Sequence, residues 1–333
     1  MKLIQLLTLT TMLCAPLTQA QSAQQEVLGE HYYQTNQIQS SLTESGDNYT
    51  FLVVGDWGRN GHFAQRSVAK WMDIAAYQFD AEMIISTGDN FYDNGIASVN
   101  DPYWQTSYEN IYHGPHLFID WYVVLGNHDY RGNWQAQIDY SAVSRRWNMP
   151  AQYFDKLISL EEGGSVHLVF LDTSPLNPDY QHEAKYQETQ RQDSKAQLAW
   201  FEQTLKRHKN ADWTIVIGHH PLYSSGKRYG KTSAVRGVIE PLLEQYEVDA
   251  YIAGHEHDLQ HNKPAGSSVE HFVSGGGSEI RPVGQREFTA FAKSSAGFAL
   301  VRVNQQQFTL EFIDDKGEVI YQYALDKNRE SAQ

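Results

Sequence analysis

Short apolar runs that each stop at a glycine set the pattern of this chain. Phe51-Leu52-Val53-Val54-Gly55, Met83-Ile84-Ile85-Ser86-Thr87-Gly88, Trp121-Tyr122-Val123-Val124-Leu125-Gly126, Thr214-Ile215-Val216-Ile217-Gly218 and Ala250-Tyr251-Ile252-Ala253-Gly254 are continuous rather than alternating, which predicts buried strands. Val166 to Leu171 is another. Between them, Ala64 to Phe79 places Val68, Trp71 and Ala75 at helical spacing, and Leu198, Phe201 and Leu205 mark one face of a helix that Asp193 can cap. Residues 103–112 and 133–147 read as amphipathic helices. A further helix runs roughly from Ala234 to Tyr246, with a kink expected at Pro241. A strand–helix–strand unit of this length is a right-handed parallel crossover.

From Val269 onward the helices cease. Strand-like runs at 269–274, 297–303, 307–313 and 318–324 follow one another, and Asp314-Asp315-Lys316-Gly317 is a hairpin turn. Helix-connected strands followed by a hairpin tail predict an α/β fold of two sheets packed face to face and covered by helices. The polar, Pro-bearing segment 175–192 reads as an exposed excursion, and 221–233 as a Gly/Ser/Lys loop.

Composition narrows the function classes. A chain of 333 residues with 41% hydrophobic and 13% aromatic content can bury a sizeable core and is not disordered. Its net charge of −14 argues against nucleic acid and anionic membrane as partners, since both need a basic face. Residues 1–20 have the form of a secretory signal: Lys2, an apolar core from Leu3 to Leu13, and the small-residue site Thr18-Gln19-Ala20. The only cysteine, Cys14, lies inside it, so the mature chain folds without disulfides despite a secreted or periplasmic destination. The expected organisation is a signal at 1–20, an extended arm at 21–48, one catalytic domain at 49–326 and a tail at 327–333.

The chemistry stands just past the glycines. There the chain offers only oxygen and nitrogen donors: Asp56, then Asp89 with Tyr92, Asn127 with His128 and Asp129, His219 with His220, and His255 with His257. Open sheets collect ligands at the carboxyl ends of their strands, so five such ends describe one polar site. Alone, each piece is ordinary, because Asp caps helices and Gly-Asn-His-Asp suits a turn. Together they read as a two-metal centre in which Asp89, through its two oxygens, touches both ions. Tyr92 as phenolate suits a ferric ion, and the neutral amide of Asn127 suits a divalent one. His255 and His257 point the same way if extended, whereas a bend would give each to a different metal.

These residues resemble the motif set of the purple acid phosphatases. Gly132-Asn133, Ala136-Gln137-Ile138, Arg146-Trp147-Asn148 and Leu171-Asp172-Thr173 resemble the small, tartrate-resistant type, over roughly residues 50–325. The resemblance implies a four-layer α/β/β/α fold and hydrolysis of small phosphate monoesters, with no nucleic acid and no stable membrane association. It implies Fe3+ held by Asp56, Asp89, Tyr92 and His257, and a divalent Fe, Zn or Mn held by Asp89, Asn127, His219 and His255. His128 is similar to the family histidine that contacts phosphate and assists the leaving group, with Asp129 orienting it. The chain departs from related families at Gly58, where a histidine is usual, and from its own at Arg228 and Tyr229, where the loop usually supplies one. Arg228 is therefore expected to bind phosphate oxygens rather than donate a proton. A phosphodiesterase or nucleotidase on the same centre, and a binding protein with a retired site, are the competing readings.

Overall fold

The computed structural model describes residues 29–42 and 48–327; the predicted signal, the start of the arm and residues 328–333 lie outside the described residues. Helix α1 (Glu30–Thr35) precedes β1 (Tyr49–Val54), and α2 (Gln65–Gln78) leads to β2 (Met83–Ser86) and β3 (Asp120–Val123). Then come α3 (Gln135–Asp139), the edge strand β4 (Trp147–Asn148), β5 (Phe154–Ser159), β6 (Ser165–Phe170), α4 (Gln187–Gln190) and α5 (Ser194–Arg207). Strand β7 (Trp213–Ile217), helix α6 (Ser233–Gln245) and strand β8 (Ala250–Ala253) complete the helix-connected part. The rest is strand: β9 (Leu259–Asn262), β10 (Glu270–Ser274), β11 (Thr289–Lys293), β12 (Gly297–Val303), β13 (Gln307–Asp314) and β14 (Val319–Asp326).

Two mixed seven-stranded sheets result, ordered β14-β13-β12-β1-β2-β3-β4 and β11-β9-β10-β8-β7-β6-β5. In the first, β1 to β4 are parallel, with Phe51 opposite Met83 and Ile84 opposite Trp121. In the second, β6, β7, β8 and β10 are parallel. The continuous apolar runs follow from burial on both faces. Phe51, Val53, Ile85, Ile215, Ile217 and Ile252 fill the space between the sheets. Their neighbours Leu52, Val54 and Ile84 face α2, and Val216, Tyr251 and Ala253 face α5 and α6. This is the four-layer α/β/β/α architecture. Its parallel strands point their carboxyl ends at one edge, which is where the site forms. Among the described residues, no helix is long and apolar enough to cross a membrane.

Four local expectations change. Residues 103–112 form a single π-helical turn, Trp104–Glu109, and 133–147 breaks into α3, a 3-10 turn at Tyr140–Ala142 and β4. Large rings replace helical regularity there: Trp104 stacks on Tyr140 at 3.4 Å, and Trp147 meets Trp104 edge-on at 4.9 Å. The arm is not simply extended, since α1 buries Tyr33, whose hydroxyl donates to Asp73 at 2.8 Å. Nor is segment 175–192 wholly exposed, because Leu176, Tyr180, Tyr186 and Thr189 are buried.

Candidate metal centre

The backbone bends sharply where the strands end. Asp56 (φ 59°), Asp89 (φ 50°) and His255 (φ 69°) all sit in the left-handed region that L-residues seldom occupy. Such strain persists where surrounding contacts over-determine it, and here it turns each side chain inward. Gly126 is required by close approach, since a Cβ there would lie 2.2 Å from the Asp89 nitrogen. Gly58 is too: a Cβ would fall 1.8 Å from the Asn90 carbonyl oxygen, so the histidine usual in related families has no room.

Seven donors converge, each between 0% and 7% exposed: Asp56, Asp89, Tyr92, Asn127, His219, His255 and His257. They fall into two groups. The Tyr92 hydroxyl lies 2.8 Å from Asp56 Oδ1, 2.9 Å from Asp89 Oδ2 and 3.1 Å from His257 Nε2. His219 Nε2 lies 3.2 Å from Asn127 Oδ1, 3.1 Å from His255 Nδ1 and 3.4 Å from Asp89 Oδ1. Asp89 therefore presents one oxygen to each group. The bend at His255 parts it from His257, so each histidine serves a different group.

The donor set fits two cations. Two buried carboxylates share one phenol, whose single proton can satisfy only one of them. Burial, then the charges of Asp56 and Asp89, pushes the Tyr92 phenol well above its ordinary value. Despite its own burial, Asp89 is held well below the usual carboxylate range by His219 and His128. A highly charged cation among these atoms removes the conflict.

The calcineurin-like phosphoesterase family pattern matches residues 49–259. Purple acid phosphatase 3 of Arabidopsis thaliana is 35% identical over 299 residues, covering 86% of this chain and 79% of the relative. Human tartrate-resistant acid phosphatase type 5 is 32% identical over 295 residues, covering 83% and 90%. The chain belongs to the purple acid phosphatases. Among solved structures, GAP50, the anchor in the inner membrane complex of Plasmodium, is similar with a TM-score of 0.73 and 26% identity, over 85% of this chain and 90% of that one.

As a purple acid phosphatase, the chain surrounds its binuclear ligand set with residues of two kinds. His128 stands beside the set: its ring packs 4.4 Å from that of Tyr92, its backbone N–H donates to Asp89 Oδ1 at 2.7 Å, and Nδ1 meets the Asp93 carbonyl at 2.6 Å. Asp129 is not its partner, which corrects the expected orienting role. Its carboxylate instead accepts the backbone N–H groups of Asn90 (3.1 Å), Phe91 (3.2 Å) and Gly126 (2.8 Å), bracing two ligand loops against each other. Burial and the charge of Asp89 push it up to about 7, against those donors. Arg228 does reach the site, where Nε donates to His255 Nε2 at 2.9 Å and the backbone N–H donates to Glu256.

Sequence reasoning missed three side chains that hold this set. Tyr186 accepts a hydrogen bond from Asn127 Nδ2 at 2.9 Å, which leaves the amide oxygen aimed at His219. Tyr180 lies 2.7 Å from Nε2 of the buried His220, whose Nδ1 is 2.8 Å from the Thr173 hydroxyl. Arg59 lies 3.8 Å over the Tyr92 ring and pairs with Asp93 at 2.9 Å and Glu279 at 2.8 Å. Two tyrosines in an otherwise polar excursion were the available signal for the first two. Nothing in the sequence marked Arg59.

Proposed function

We propose that this chain is a secreted or periplasmic acid phosphatase, hydrolysing small phosphate monoesters at a centre of Fe3+ and a divalent Fe, Zn or Mn. The observation that carries the reading is the pair of donor groups joined by Asp89. Asp56, Asp89, Tyr92 and His257 would hold the ferric ion, since a phenolate is a hard anionic donor. Asp89, Asn127, His219 and His255 would hold the divalent ion. When bound, the metal pair supplies Lewis acidity toward the phosphate and an acidified water as nucleophile. Secretion rests on the form of residues 1–20.

The chain's own residues do the rest. A cavity of about 260 Å³ adjoins the ligands, and its lining includes His220, His255, Asp179, Glu183, Lys185, Arg228 and Lys231. Burial keeps both histidines neutral and Lys185 pairs with Glu183, so Arg228 and Lys231 are the cations available to a phosphate there. Arg228 stands beside His255 at this cavity, and its guanidinium N–H groups can bind phosphate oxygens. His128 Nδ1 donates to the Asp93 carbonyl, so Nε2 is the atom that can pass a proton to the leaving oxygen. The purified, metal-loaded protein should hydrolyse an aryl phosphate monoester faster than the matching diester. A faster diester reaction would favour the phosphodiesterase reading, and inactivity toward both would leave a binding protein.

A further inference from the structure

Behind the second sheet lies a group of donors that the binuclear centre does not use. Asp155 of β5, His167 of β6 and His208, which closes the carboxyl end of α5, meet between sheet and helix. Nε2 of His167 is 3.1 Å and Nε2 of His208 3.5 Å from the same oxygen, Asp155 Oδ2. The Thr204 hydroxyl donates to that oxygen as well, at 2.8 Å. The hydrogen bonds from His167 and Thr204 fill the two lone-pair sites of that oxygen, and His208 still turns Nε2 toward it without one. Hydrogen bonding alone therefore does not account for the approach of His208.

Coordination does. With bonds of about 2.0–2.2 Å, tetrahedral ligand atoms stand roughly 3.3–3.6 Å apart. The three candidate atoms all lie within 4.8 Å of one another. Their spacings from Asp155 are like those at the binuclear centre, where His219 Nε2 is 3.4 Å from Asp89 and 3.1 Å from His255. The His167 side chain is fully buried, while those of Asp155 and His208 are 20% and 21% exposed, so the group has a closed floor and an open mouth. The carboxyl end of the 14-residue α5 adds a negative dipole end, which favours a cation. Thr204 fixes the carboxylate from behind, as outer partners of metal ligands do.

We propose that Asp155, His167 and His208 form a third metal site for a divalent ion of the zinc type, with water completing the shell. Two imidazoles and one carboxylate select zinc, nickel or copper over magnesium or calcium. The site is structural: it ties the carboxyl end of α5 to the β5–β6 pair. Near the other end of α5, Gln197 holds the main chain of Asp172 at 2.9 and 3.0 Å.

The test is calorimetric titration of Zn2+ into the full chain with its binuclear centre already loaded. One further equivalent should bind saturably. His208→Ala and Asp155→Asn should each weaken that event strongly, and Thr204→Val by about 10–100-fold, while the metals of the binuclear centre stay in place. His208 is partly exposed and Asp155→Asn keeps its shape, so at least one variant should fold. Absence of a saturable event in the parent chain overturns the proposal, as does an unchanged isotherm in His208→Ala and Asp155→Asn.

Discussion

His128 and Arg228 divide the work around the leaving group and the phosphate. His128 has one ring nitrogen committed to the Asp93 carbonyl and one facing the ligand set, with Nε2 3.9 Å from Asp89 Oδ2. His128→Ala should lower kcat by about 10²–10⁴-fold for esters with poor leaving groups, the usual worth of positioned proton transfer. Arg228 cannot give up a proton, so Arg228→Ala should raise KM. Aryl phosphates of graded acidity separate the two roles: only His128→Ala should steepen the dependence on leaving group. Equal steepening in Arg228→Ala would refute the division. At this scale the convergence of Asp56, Asp89, Asn127, His219 and His255 was legible because type and place coincide, a donor directly after a strand-ending glycine. Asp129 was misassigned because its neighbour in sequence, His128, is not its partner in space. Its partners are the N–H groups of Asn90 and Phe91, 39 and 38 residues earlier, and of Gly126 in its own loop.

Strands buried on both faces announce themselves as continuous apolar runs, and β1, β2, β3, β7 and β8 appeared where the sequence placed them. Segments held by rings did not. Trp104, Tyr108, Tyr140 and Trp147 are spaced as on helices, yet they pack as one aromatic cluster, and the backbone follows the rings. Strands β9 and β11 gave no apolar run to read, because polar residues such as Gln260, His261 and Thr289 carry their pairing. The excursion 175–192 is the functional case, since polarity hid two tyrosines that reach the site. Tyr186 positions the Asn127 amide, so Tyr186→Phe should weaken divalent-metal affinity by about 10–100-fold while the Tyr92 group keeps its iron. Metal titration of the variant checks this, and equal loss at both positions would contradict it.

At the scale of the molecule, a single cysteine leaves no disulfide within the chain, so its stability rests on its cores and on whatever metals it binds. One residue makes that stability depend on acid. Both ring nitrogens of His271 are buried without a hydrogen-bond partner among the described residues. Burial, followed by the charge of Lys263, holds its pKa down to about 3, against an ordinary 6.5. The folded value lies below the unfolded one, so between them the unfolded chain binds the extra proton. Stability is full above about pH 6.5 and falls as pH drops toward 3. His271→Phe should flatten that part of the profile, measured as urea midpoint against pH. An unchanged slope would show that other groups dominate.

The binuclear assignment makes one demand that a single measurement meets, the elemental analysis of three purified proteins. The parent chain should carry one iron and one divalent metal. Asp89→Ala, which removes the ligand whose two oxygens face the two groups, should carry neither. Asn127→Ala, which touches only the His219 group, should keep its iron and lose most of the divalent ion. Equal loss of both metals in both variants, or a parent chain with a single metal, would contradict a shared centre built on Asp89.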